Sequence, residues 1–371
     1  MKKVGILSMQ RICNYGSFLQ AYGLKKLIEE LGCHAEFVDY HPGSCLVNNG
    51  EKKGFLRKLE KASEAFGYNA PFREKTRYIR YKKNYAENYY PMLGIADHMN
   101  YSPELDMLVI GSDEVFNCVQ SNTNVGFSPE LFGVGNHARR LISYAASFGN
   151  TSLQKLQKYQ VRDEVAAYLK EFDALSVRDE NSCIITKALT GNEPFCHFDP
   201  VLVYDFMGKC SQIPLSVGES DYLLLYGYAG RFSREECDCI RRYADSRGLK
   251  IYCIGGVQGC CDKFIDCDPF TVIAYFKNAD CIVTDTFHGS ILSVITHSQF
   301  ISVVRNSSCG NSEKLADLMN RLELSGRIAD NMNDIDKLMA GMIDYDAADR
   351  IIERERRRSR DYLKEQIDCA V

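Results

Sequence analysis

Short apolar runs, each followed by a polar loop, recur along the first half of the chain. Their lengths are those of buried β-strands, and they lie at residues 4–8, 35–40, 107–110, 141–145 and 174–177. Between the first two runs, apolar residues from Leu19 to Leu31 fall near one face of a helix that Gly32 closes. Strand, loop, helix and strand in this order are typical of the βαβ unit of a parallel sheet.

The second half repeats this alternation after residues 206–220, a stretch rich in Gly, Ser and Pro that predicts a linker. Apolar runs that predict strands alternate there with periodic stretches that predict helices. The strands are predicted at residues 222–228, 250–254, 281–284 and 300–304, and the helices at 233–247, 271–278 and from about Ser290. In the first half, a long polar helix is also predicted over residues 152–171.

Two alternations in tandem predict an α/β protein of two Rossmann-like parallel-sheet domains that face each other across a central cleft. With 371 residues the chain is also long for a single hydrophobic core. We place the first domain at residues 1–205, the second at 206–345, and a charged helix that straps the two together at 346–371. Such sheets bind ligands at the carboxyl ends of their strands, where loops meet helix N-termini.

Residues 51–83 interrupt the first domain, as part of an insertion that we extend over residues 51–99. Eleven Lys and Arg stand here against four Glu, a net charge of +7, with Phe and Tyr interleaved. One interpretation is a helical insertion whose aromatic side chains pack inward while its charges stay in water. The other is a basic patch that faces an anionic surface or an acceptor carrying a pyrophosphate.

Composition narrows the function classes. A formal charge of −4 lacks the basic excess of a dedicated nucleic-acid binder, so no nucleic-acid partner is expected. The first apolar run is too short for a signal peptide and no run reaches eighteen apolar residues, which predicts a cytoplasmic protein. The sixteen cysteines are then expected to be reduced. Since they form no matched Cys-x-x-Cys pairs, we predict core packing rather than a metal site.

The strongest candidate for chemistry is the loop at residues 283–290, Val-Thr-Asp-Thr-Phe-His-Gly-Ser. It places His288 after a buried strand and directly before a helix, and Gly289 lets backbone approach a ligand closely. The first amides of a helix form a site for an anion, and a histidine beside them can transfer protons to or from the ligand. The alternative is a histidine that only caps the local structure.

Other polar loops at predicted strand ends are less specific. Arg178, in Ser-Val-Arg-Asp-Glu, offers a planar fork for carboxylate or phosphate, but such a run is also typical of a surface ion-pair cluster. Gly-Ser-Asp at 111–113 is common in turns, and Asn-Tyr-Gly-Ser at 14–17 matches no Walker or Rossmann fingerprint. The absence of those fingerprints disfavours P-loop NTPases and ordinary dinucleotide enzymes. The chain also has no Gly-x-Ser-x-Gly, which disfavours a serine hydrolase.

The order and spacing of the loops are more specific than any one of them. In chain order they are Asn-Tyr-Gly-Ser and Leu-Gln-Ala-Tyr within 14–22, Gly-Ser-Asp-x-x-Phe-Asn at 111–117, Ser-Tyr-Ala-Ala-Ser-Phe-Gly at 143–149, Ser-Val-Arg-Asp at 176–179, Asp-Pro at 199–200 and Ala-Asp-x-x-Val-Thr-Asp-Thr-Phe-His-Gly at 279–289. From Val4 to about Arg327 this pattern resembles the polysaccharide pyruvyl transferase family, and Thr-Asp-Thr-Phe-His-Gly is its most specific part. It departs from the family at Phe116, where Trp is frequent, and at residues 307–311, where relatives often carry basic residues. Because of the second departure, it stays open whether that stretch contacts the donor or the acceptor.

The resemblance implies a fold like that of GT-B glycosyltransferases, and an enzyme that moves pyruvate from phosphoenolpyruvate onto two hydroxyls of a sugar. The sugar would belong to a cell-surface polysaccharide, such as an exopolysaccharide or capsule, or to its lipid-linked precursor. The products would be a cyclic ketal and phosphate, with phosphoenolpyruvate as co-substrate and neither a cofactor nor a metal expected. An oligosaccharide acceptor linked to a lipid pyrophosphate would bring the protein into peripheral contact with the inner face of the membrane.

The same resemblance suggests roles for individual residues. His288 is expected to act as general acid/base and Arg178 as the clamp for the donor anion, which makes these two the predicted catalytic residues. The predicted donor-binding residues, in the second domain apart from the arginine, are Arg178, Thr286, His288, Gly289 and Ser290. Of these, Gly289 and Ser290 would hold phosphate through their amides and the serine hydroxyl. The predicted acceptor-binding residues, across the cleft in the first domain, are Asn14, Tyr15, Ser17, Ser112 and Asp113.

Two rival functions stay open at this point. A nucleotide-sugar-dependent glycosyltransferase on the same two-domain scaffold would need an acidic residue for base and ribose in the second domain, and none can be singled out. A non-catalytic glycan-binding relative would keep the fold without turnover. The presence of both His288 and Arg178 argues against that second rival.

Overall fold

The computed structural model describes residues 1–47, 69–304 and 312–370. The basic segment is residues 51–83, and its larger part, residues 51–68, lies outside the described residues. So does the stretch 307–311. Within the described ranges the chain forms two parallel β-sheets of six strands each.

The first sheet is built from the N-terminal half of the chain. Its strands are β1 (Lys3–Leu7), β2 (His34–Phe37), β3 (Met107–Asp113), β4 (Arg140–Ala146), β5 (Ser176–Val177) and β6 (Phe195–Cys196). Their order across the sheet is β2-β1-β3-β4-β5-β6. All seven residues of β3 are buried, as expected for a parallel strand covered on both faces. The carboxyl ends of β1, β3 and β5 therefore bring their polar loops to one edge of the sheet.

The helices of this half are α1 (Tyr15–Glu29), α2 (Phe72–Tyr89), α3 (Leu153–Lys158), α4 (Arg162–Lys170), α5 (Glu180–Thr190), α6 (Pro200–Val203) and α7 (Phe206–Lys209). The prediction of one helix over residues 152–171 is wrong, because the chain breaks at Gln160, whose φ is +57°. The amide of Val161 bonds to the carbonyl of Leu156, and the Val161 side chain is buried. Packing of this valine thus turns the chain before α4 begins.

The second sheet is built from the C-terminal half. Its strands are β7 (Tyr222–Tyr226), β8 (Lys250–Ile254), β9 (Lys263–Phe264), β10 (Cys281–Thr284), β11 (Phe300–Val303) and β12 (Ile328–Ala329), in the order β12-β11-β10-β7-β8-β9. The helices are α8 (Arg234–Ser246), α9 (Pro269–Lys277), α10 (Phe287–Ile295), α11 (Ser312–Arg321), α12 (Ile335–Ala340) and α13 (Tyr345–Cys369). Short 3₁₀ turns lie at Tyr90–Leu93, Pro129–Phe132, Ser325–Arg327 and Met332–Asp334.

Helix α10 begins earlier than the predicted start near Ser290. The reason is a side-chain cap, since Thr286 Oγ1 accepts a hydrogen bond from the Gly289 amide at 3.0 Å. His288 therefore lies inside the first helical turn rather than in a loop before it.

Helix α2 connects the two halves of the molecule. Its buried residues include Tyr81, Tyr85 and Tyr89. The ring of Tyr81 packs on Phe264 of β9 with 5.6 Å between centroids, and the Glu74 carboxylate accepts the Phe264 amide at 2.7 Å. Inward packing is therefore confirmed for the tyrosines of this helix, whereas Phe72 at its start is 73% exposed.

Helix α13 contacts both halves as well. Near its start, the Tyr345 hydroxyl donates to the carbonyl of Ser298 in the second half. Near its end, the buried Tyr362 hydroxyl donates to the carbonyl of Ser143 in the first half at 2.9 Å. No helix in the described ranges combines the length and the apolar character needed to cross a membrane.

The predicted architecture is confirmed. Two Rossmann-like parallel-sheet domains are joined by a C-terminal strapping helix, as in the GT-B arrangement. The strands of the two sheets lie within residues 3–196 and 222–329. The domain boundaries after residues 205 and 345 stay predictions.

Candidate active site

A cleft of about 400 Å³ lies between the carboxyl edges of the two sheets. Loops that follow β1, β3 and β5 form one wall, and loops that follow β7, β8 and β10 form the other. The predicted site residues that line it are Asn14, Tyr15, Ser17, Asp113, Arg178, Thr286 and His288. Residues far apart in the sequence are thus brought to one cleft, as the parallel sheets require.

His288 meets a carboxylate of the opposite domain. Its side chain is 12% exposed, and Nε2 lies 3.5 Å from Oδ2 of the fully buried Asp199. This distance exceeds that of an ordinary hydrogen bond, and Nε2 has no other partner among the described residues. Because Nε2 faces Asp199, the other ring nitrogen, Nδ1, is the one left for a ligand.

Gly16, in the first turn of α1, makes room for the imidazole. A Cβ atom added to Gly16 would lie 2.2 Å from Nδ1 of His288. That distance is far below van der Waals contact, so a larger residue here would displace the ring. The glycine is thus required by close approach rather than by its backbone angles.

Asp199 holds the surrounding residues together. It caps α6, with Oδ1 accepting the Val201 amide at 3.0 Å, while Oδ2 accepts Arg178 Nη1 at 2.5 Å and Ser112 Oγ at 3.2 Å. Burial alone would raise the pKa of this carboxyl, but His288 and then Arg178 lower it well below its usual value. Asp199 was not among the predicted site residues, although Asp-Pro belongs to the loop pattern that carries the family resemblance.

Arg178 lies between two carboxylates. Nη1 bonds to Asp199, and Nη2 bonds to Asp113 Oδ1 at 3.2 Å. The guanidinium also lies over the Phe287 ring, 4.7 Å from its centroid. Burial would lower its pKa, yet Asp199 and Asp113 raise it further above its usual value. The side chain therefore holds two acidic residues in place, and its direct contact with a donor stays a prediction.

The first-domain wall is braced by short hydrogen bonds. Ser17 Oγ donates to Asp113 Oδ2 at 2.7 Å. Asn14 caps α1 by accepting the Gly16 amide at 2.7 Å, and its Nδ2 reaches the hydroxyl of Tyr228 in the second domain at 3.3 Å. Asn14 therefore connects the two walls.

The structure corrects the predicted phosphate contacts. The Gly289 amide donates to Thr286 Oγ1, and both the amide and the hydroxyl of Ser290 donate to the Thr286 carbonyl at 3.1 Å. These donors are used within the helix and do not reach the cleft. The first two residues of α10, Phe287 and His288, have amides with no carbonyl partner inside the helix and line the cleft instead.

The hydroxyls of two predicted acceptor-binding residues are engaged by the protein as well. Ser112 is fully buried behind the cleft wall, where its hydroxyl donates to the Ala145 carbonyl at 2.8 Å and to Asp199. Tyr15 reaches the wall, but its hydroxyl donates to the Cys267 carbonyl at 2.7 Å. Both hydroxyls are therefore engaged by the protein rather than free for a sugar.

Two lysines of the cleft wall were not predicted as site residues. Lys82 of α2 donates to the Cys13 carbonyl at 3.0 Å. Lys314 of α11 lies 2.5 Å from Oε1 of Glu114, so this ion pair joins the two domains across the cleft. Burial would raise the pKa of Glu114, but Lys314, with smaller contributions from Arg178 and Asn117, more than offsets it and the pKa falls to about 2. Neither lysine belongs to a recognisable motif, and only the fold shows that they face the cleft.

The clustered cysteines of the second domain lie in the protein interior. Cys253, Cys260 and Cys261 are buried and belong to the hydrophobic core. Across the described ranges, no group of three or more His, Cys, Asp and Glu side chains is arranged to hold a metal ion. That the protein needs neither metal nor cofactor stays a prediction.

Solved structures with a similar chain course have dissimilar sequences. UDP-N-acetylglucosamine 2-epimerase from Rickettsia bellii is 11% identical, with a TM-score of 0.49 over 98% of each chain. UDP-GlcNAc 2-epimerase from Neisseria meningitidis, bound to UDP-GlcNAc, is 9% identical, with a TM-score of 0.49 over 99% of each chain. A Thermobaculum terrenum O-GlcNAc transferase mutant is 11% identical with a TM-score of 0.45, and the match covers 100% of this chain but 66% of that chain.

No curated protein matches the sequence. The sequence model of one family, described as Polysaccharide pyruvyl transferase, matches residues 14–308. That range covers most of the chain and includes the cleft residues Asn14, Asp113, Arg178 and His288, together with the buried Asp199. The chain therefore belongs to the polysaccharide pyruvyl transferase family.

Proposed function

We propose that this protein transfers pyruvate from phosphoenolpyruvate onto two hydroxyls of one sugar residue as a cyclic ketal. The sugar belongs to a cell-surface polysaccharide or to its lipid-linked precursor. The observation that supports this most directly is the pairing of His288 with the buried Asp199 at the start of α10. This arrangement offers a proton donor beside a helix end that attracts anions.

The donor carries a carboxylate and a phosphate, so it needs positive charge and amide donors. The amides of Phe287 and His288 have no carbonyl partner within α10 and lie at the positive end of its dipole, and both residues line the cleft. On the Cys13 side of the cleft, Lys82 adds an ammonium group that donates to a backbone carbonyl. Thr286 completes this wall. We assign these residues to the donor in place of Gly289 and Ser290.

The reaction begins with a proton transfer. Protonated His288 gives its Nδ1 proton to the methylene carbon of phosphoenolpyruvate, which leaves a cationic centre at C2. Asp199 stabilises the imidazolium through Nε2 and fixes which nitrogen transfers the proton. No separate cofactor is needed for this step.

Two hydroxyls of the sugar then form the ketal. The first attacks C2 and loses its proton, the C2–O bond to phosphate breaks, and the second hydroxyl closes the ring. One hydroxyl proton restores protonated His288 and the other leaves with phosphate, so atoms and charges balance. General acid–base help of this kind accelerates reactions about 10² to 10⁴-fold.

The exposed face of α2 suggests where a lipid-linked acceptor would lie. Arg73, Arg80 and Lys83 are exposed on this helix next to the cleft residue Lys82. Such a face attracts an anionic membrane surface or a lipid pyrophosphate. We therefore propose peripheral contact with the inner face of the membrane. Reversing the charge of these three residues should reduce pelleting with anionic liposomes, and unchanged pelleting would contradict the contact.

Thermal unfolding tests the donor. The purified protein is heated in buffer, with phosphoenolpyruvate, or with a UDP-sugar, and wild type is compared with Lys82→Met and His288→Asn. A ligand at 100 times its Kd adds about 2.7 kcal/mol of stability. We expect stabilisation by phosphoenolpyruvate that both variants weaken. Stabilisation by the UDP-sugar alone would instead favour a nucleotide-sugar glycosyltransferase.

A further inference from the structure

One end of the cleft has a polar lining that the proposed reaction does not use. Glu114, Gln120 and Asn122 line it from the first domain, and Lys314 and Tyr228 line it from the second. Gln120 Nε2 donates to the backbone carbonyl of Glu114 at 3.2 Å, so the loop after β3 folds back onto the backbone at this residue. Asn122 is exposed on the same loop.

The charges at this end cancel. Glu114 and Lys314 form a close ion pair, and the low pKa of Glu114 keeps its carboxylate ionised at neutral pH. A carboxyl with a pKa of about 2 is a poor general base near pH 7, because efficient bases have a pKa close to the working pH. As an ionised hydrogen-bond acceptor it is strong. These properties suit a neutral ligand rich in hydroxyl donors rather than the anionic donor.

Tyr228 adds an apolar surface beside these polar groups. Its side chain is 47% exposed, although it stands on the cleft wall and its hydroxyl accepts from Asn14 Nδ2. An exposed aromatic ring in a cleft is a contact surface for the C–H face of a ligand.

We propose that Glu114, Gln120, Asn122 and Tyr228 form the subsite for the neutral pyranose ring of the acceptor. Tyr228 receives the apolar face of the ring, while Glu114 and the two amides bind its hydroxyls. Lys314 holds Glu114 in place and joins the two walls around the sugar. The identity of this sugar as the acceptor rests on the proposed function, but a sugar can bind here without the donor.

The test measures sugar binding without phosphoenolpyruvate. Saturation-transfer NMR is recorded with the methyl glycosides of glucose, galactose, mannose and N-acetylmannosamine, and Kd is taken from titrations. The variants are Tyr228→Ala, Asn122→Ala and the double variant Glu114→Gln/Lys314→Met. The double variant removes both charges together and so avoids an unpaired buried lysine. Asn124→Ala, an exposed amide of the same loop outside the cleft lining, is the matched control.

At least one glycoside should bind wild type and Asn124→Ala equally well. Its Kd should rise about tenfold or more in the double variant, because a hydrogen bond to a charged group is lost. Stabilisation by phosphoenolpyruvate should persist in the same variants. Should no glycoside bind wild type, or should the double variant lose phosphoenolpyruvate binding but keep the sugar, the subsite assignment is overturned. A further outcome separates the subsite from the donor. If sugar binding depends on these residues while phosphoenolpyruvate does not stabilise wild type, the subsite assignment stands and phosphoenolpyruvate is refuted as the donor.

Discussion

At the scale of single residues, His288 depends on neighbours from the other domain. Asp199 faces its Nε2, and Arg178 holds Asp199 from behind with a bond of 2.5 Å. The proposed catalysis therefore requires the two domains to stay in register, since the imidazole belongs to one and its carboxylate to the other. A shift of 1 Å in such a contact can cost about 100-fold in rate.

His288→Ala should lower the rate of phosphate release from phosphoenolpyruvate and acceptor at least about 10²-fold, because the general acid is lost. Phosphate release is followed with a coupled assay at saturating substrates. His137→Ala, which alters an exposed histidine outside the cleft lining, is the control and should retain the wild-type rate. A rate within a few-fold of wild type in His288→Ala would remove this residue from the chemistry.

Gly16→Ala should reduce activity without unfolding the protein. Alanine favours the helical conformation over glycine, but its Cβ would displace the His288 ring. We expect at least about a tenfold loss of turnover from the misplaced ring. The melting temperature should also fall, because the added Cβ lies 2.7 Å from Cβ of His288 and turning the ring does not relieve that contact. Gly326→Ala is the matched control, because a Cβ there meets no atom within 4 Å. Equal activity of the two variants would contradict the packing argument.

Glu114 makes a prediction for acid stability. Its pKa is about 2 in the folded protein against an ordinary value of 4.5, so the ionised form stabilises the fold above pH 4.5 and that contribution is lost as the pH falls toward 2. The gap in unfolding free energy between wild type and Glu114→Gln, measured with urea at several pH values, should therefore shrink over this range. In Lys314→Met the acid-induced loss of stability should begin at higher pH, because the main cause of the lowered pKa of Glu114 is gone.

Several site residues were predictable because parallel strands end at one edge. Asp113 and Arg178 follow strands of the first sheet, and Thr286 and His288 follow a strand of the second, so patterning alone placed them near the cleft. The engagement of Ser290 in its own helix was not predictable, since it depends on the Thr286 cap. The role of Asp199 depends on where Arg178 and His288 point, which no periodicity encodes.

At the scale of elements, α2 has two different faces. Its tyrosines pack on the second domain, while Lys82 points to the cleft and Lys83 is exposed. The basic segment looked ambiguous in sequence because packed tyrosines and exposed charges lie on different faces of one helix. Contact of the charged face with an anionic surface stays a prediction. Aromatic residues that pack inward and a cationic residue that lines the cleft can belong to one helix because they lie on different sides of it.

Lys82→Met should raise KM for phosphoenolpyruvate by about tenfold, because one charge-assisted contact with the donor is lost. kcat should change less than KM, since the lysine does not transfer protons. Lys83→Met removes the neighbouring charge outside the cleft lining and should leave both constants unchanged. A similar rise in KM in the two variants would show a general effect of charge rather than a donor contact.

Element boundaries were the weakest part of the sequence prediction. The split of residues 152–171 into two helices follows from the inward turn of Val161, which a polar helical pattern does not reveal. Some strands of two residues, such as Phe195–Cys196 and Lys263–Phe264, were not predicted because they are too short to show a period. Long apolar strands such as Met107–Asp113 were found readily, because burial on both faces leaves a continuous apolar run.

At the scale of the whole molecule, α13 stabilises both domains together. Tyr362 is buried to 3% exposure and bonds to Ser143 at 2.9 Å. Tyr362→Ala should lower the free energy of unfolding by about 3–5 kcal/mol, the cost of removing a large buried aromatic side chain. Urea unfolding measures this. Tyr228→Ala, which truncates a half-exposed tyrosine, should cost much less, and an equal cost would contradict the strapping role.

The two-domain architecture was predictable as a whole because its signal is repeated. Two independent alternations of strand and helix each favour a parallel sheet, and errors at single boundaries do not change that result. The relative placement of the domains was not predictable in the same way. It depends on contacts such as Glu74 with Phe264 and Glu114 with Lys314, whose partners are distant in sequence.

The strapping helix also limits how the cleft can open. The chain passes from the first domain to the second between β6 and β7, and α13 returns along both domains. Helix α13 is thus a second tether beside the connecting chain, and it limits independent movement of the two domains. For the proposed catalytic pair, we expect this tether to keep His288 and Asp199 aligned from one turnover to the next.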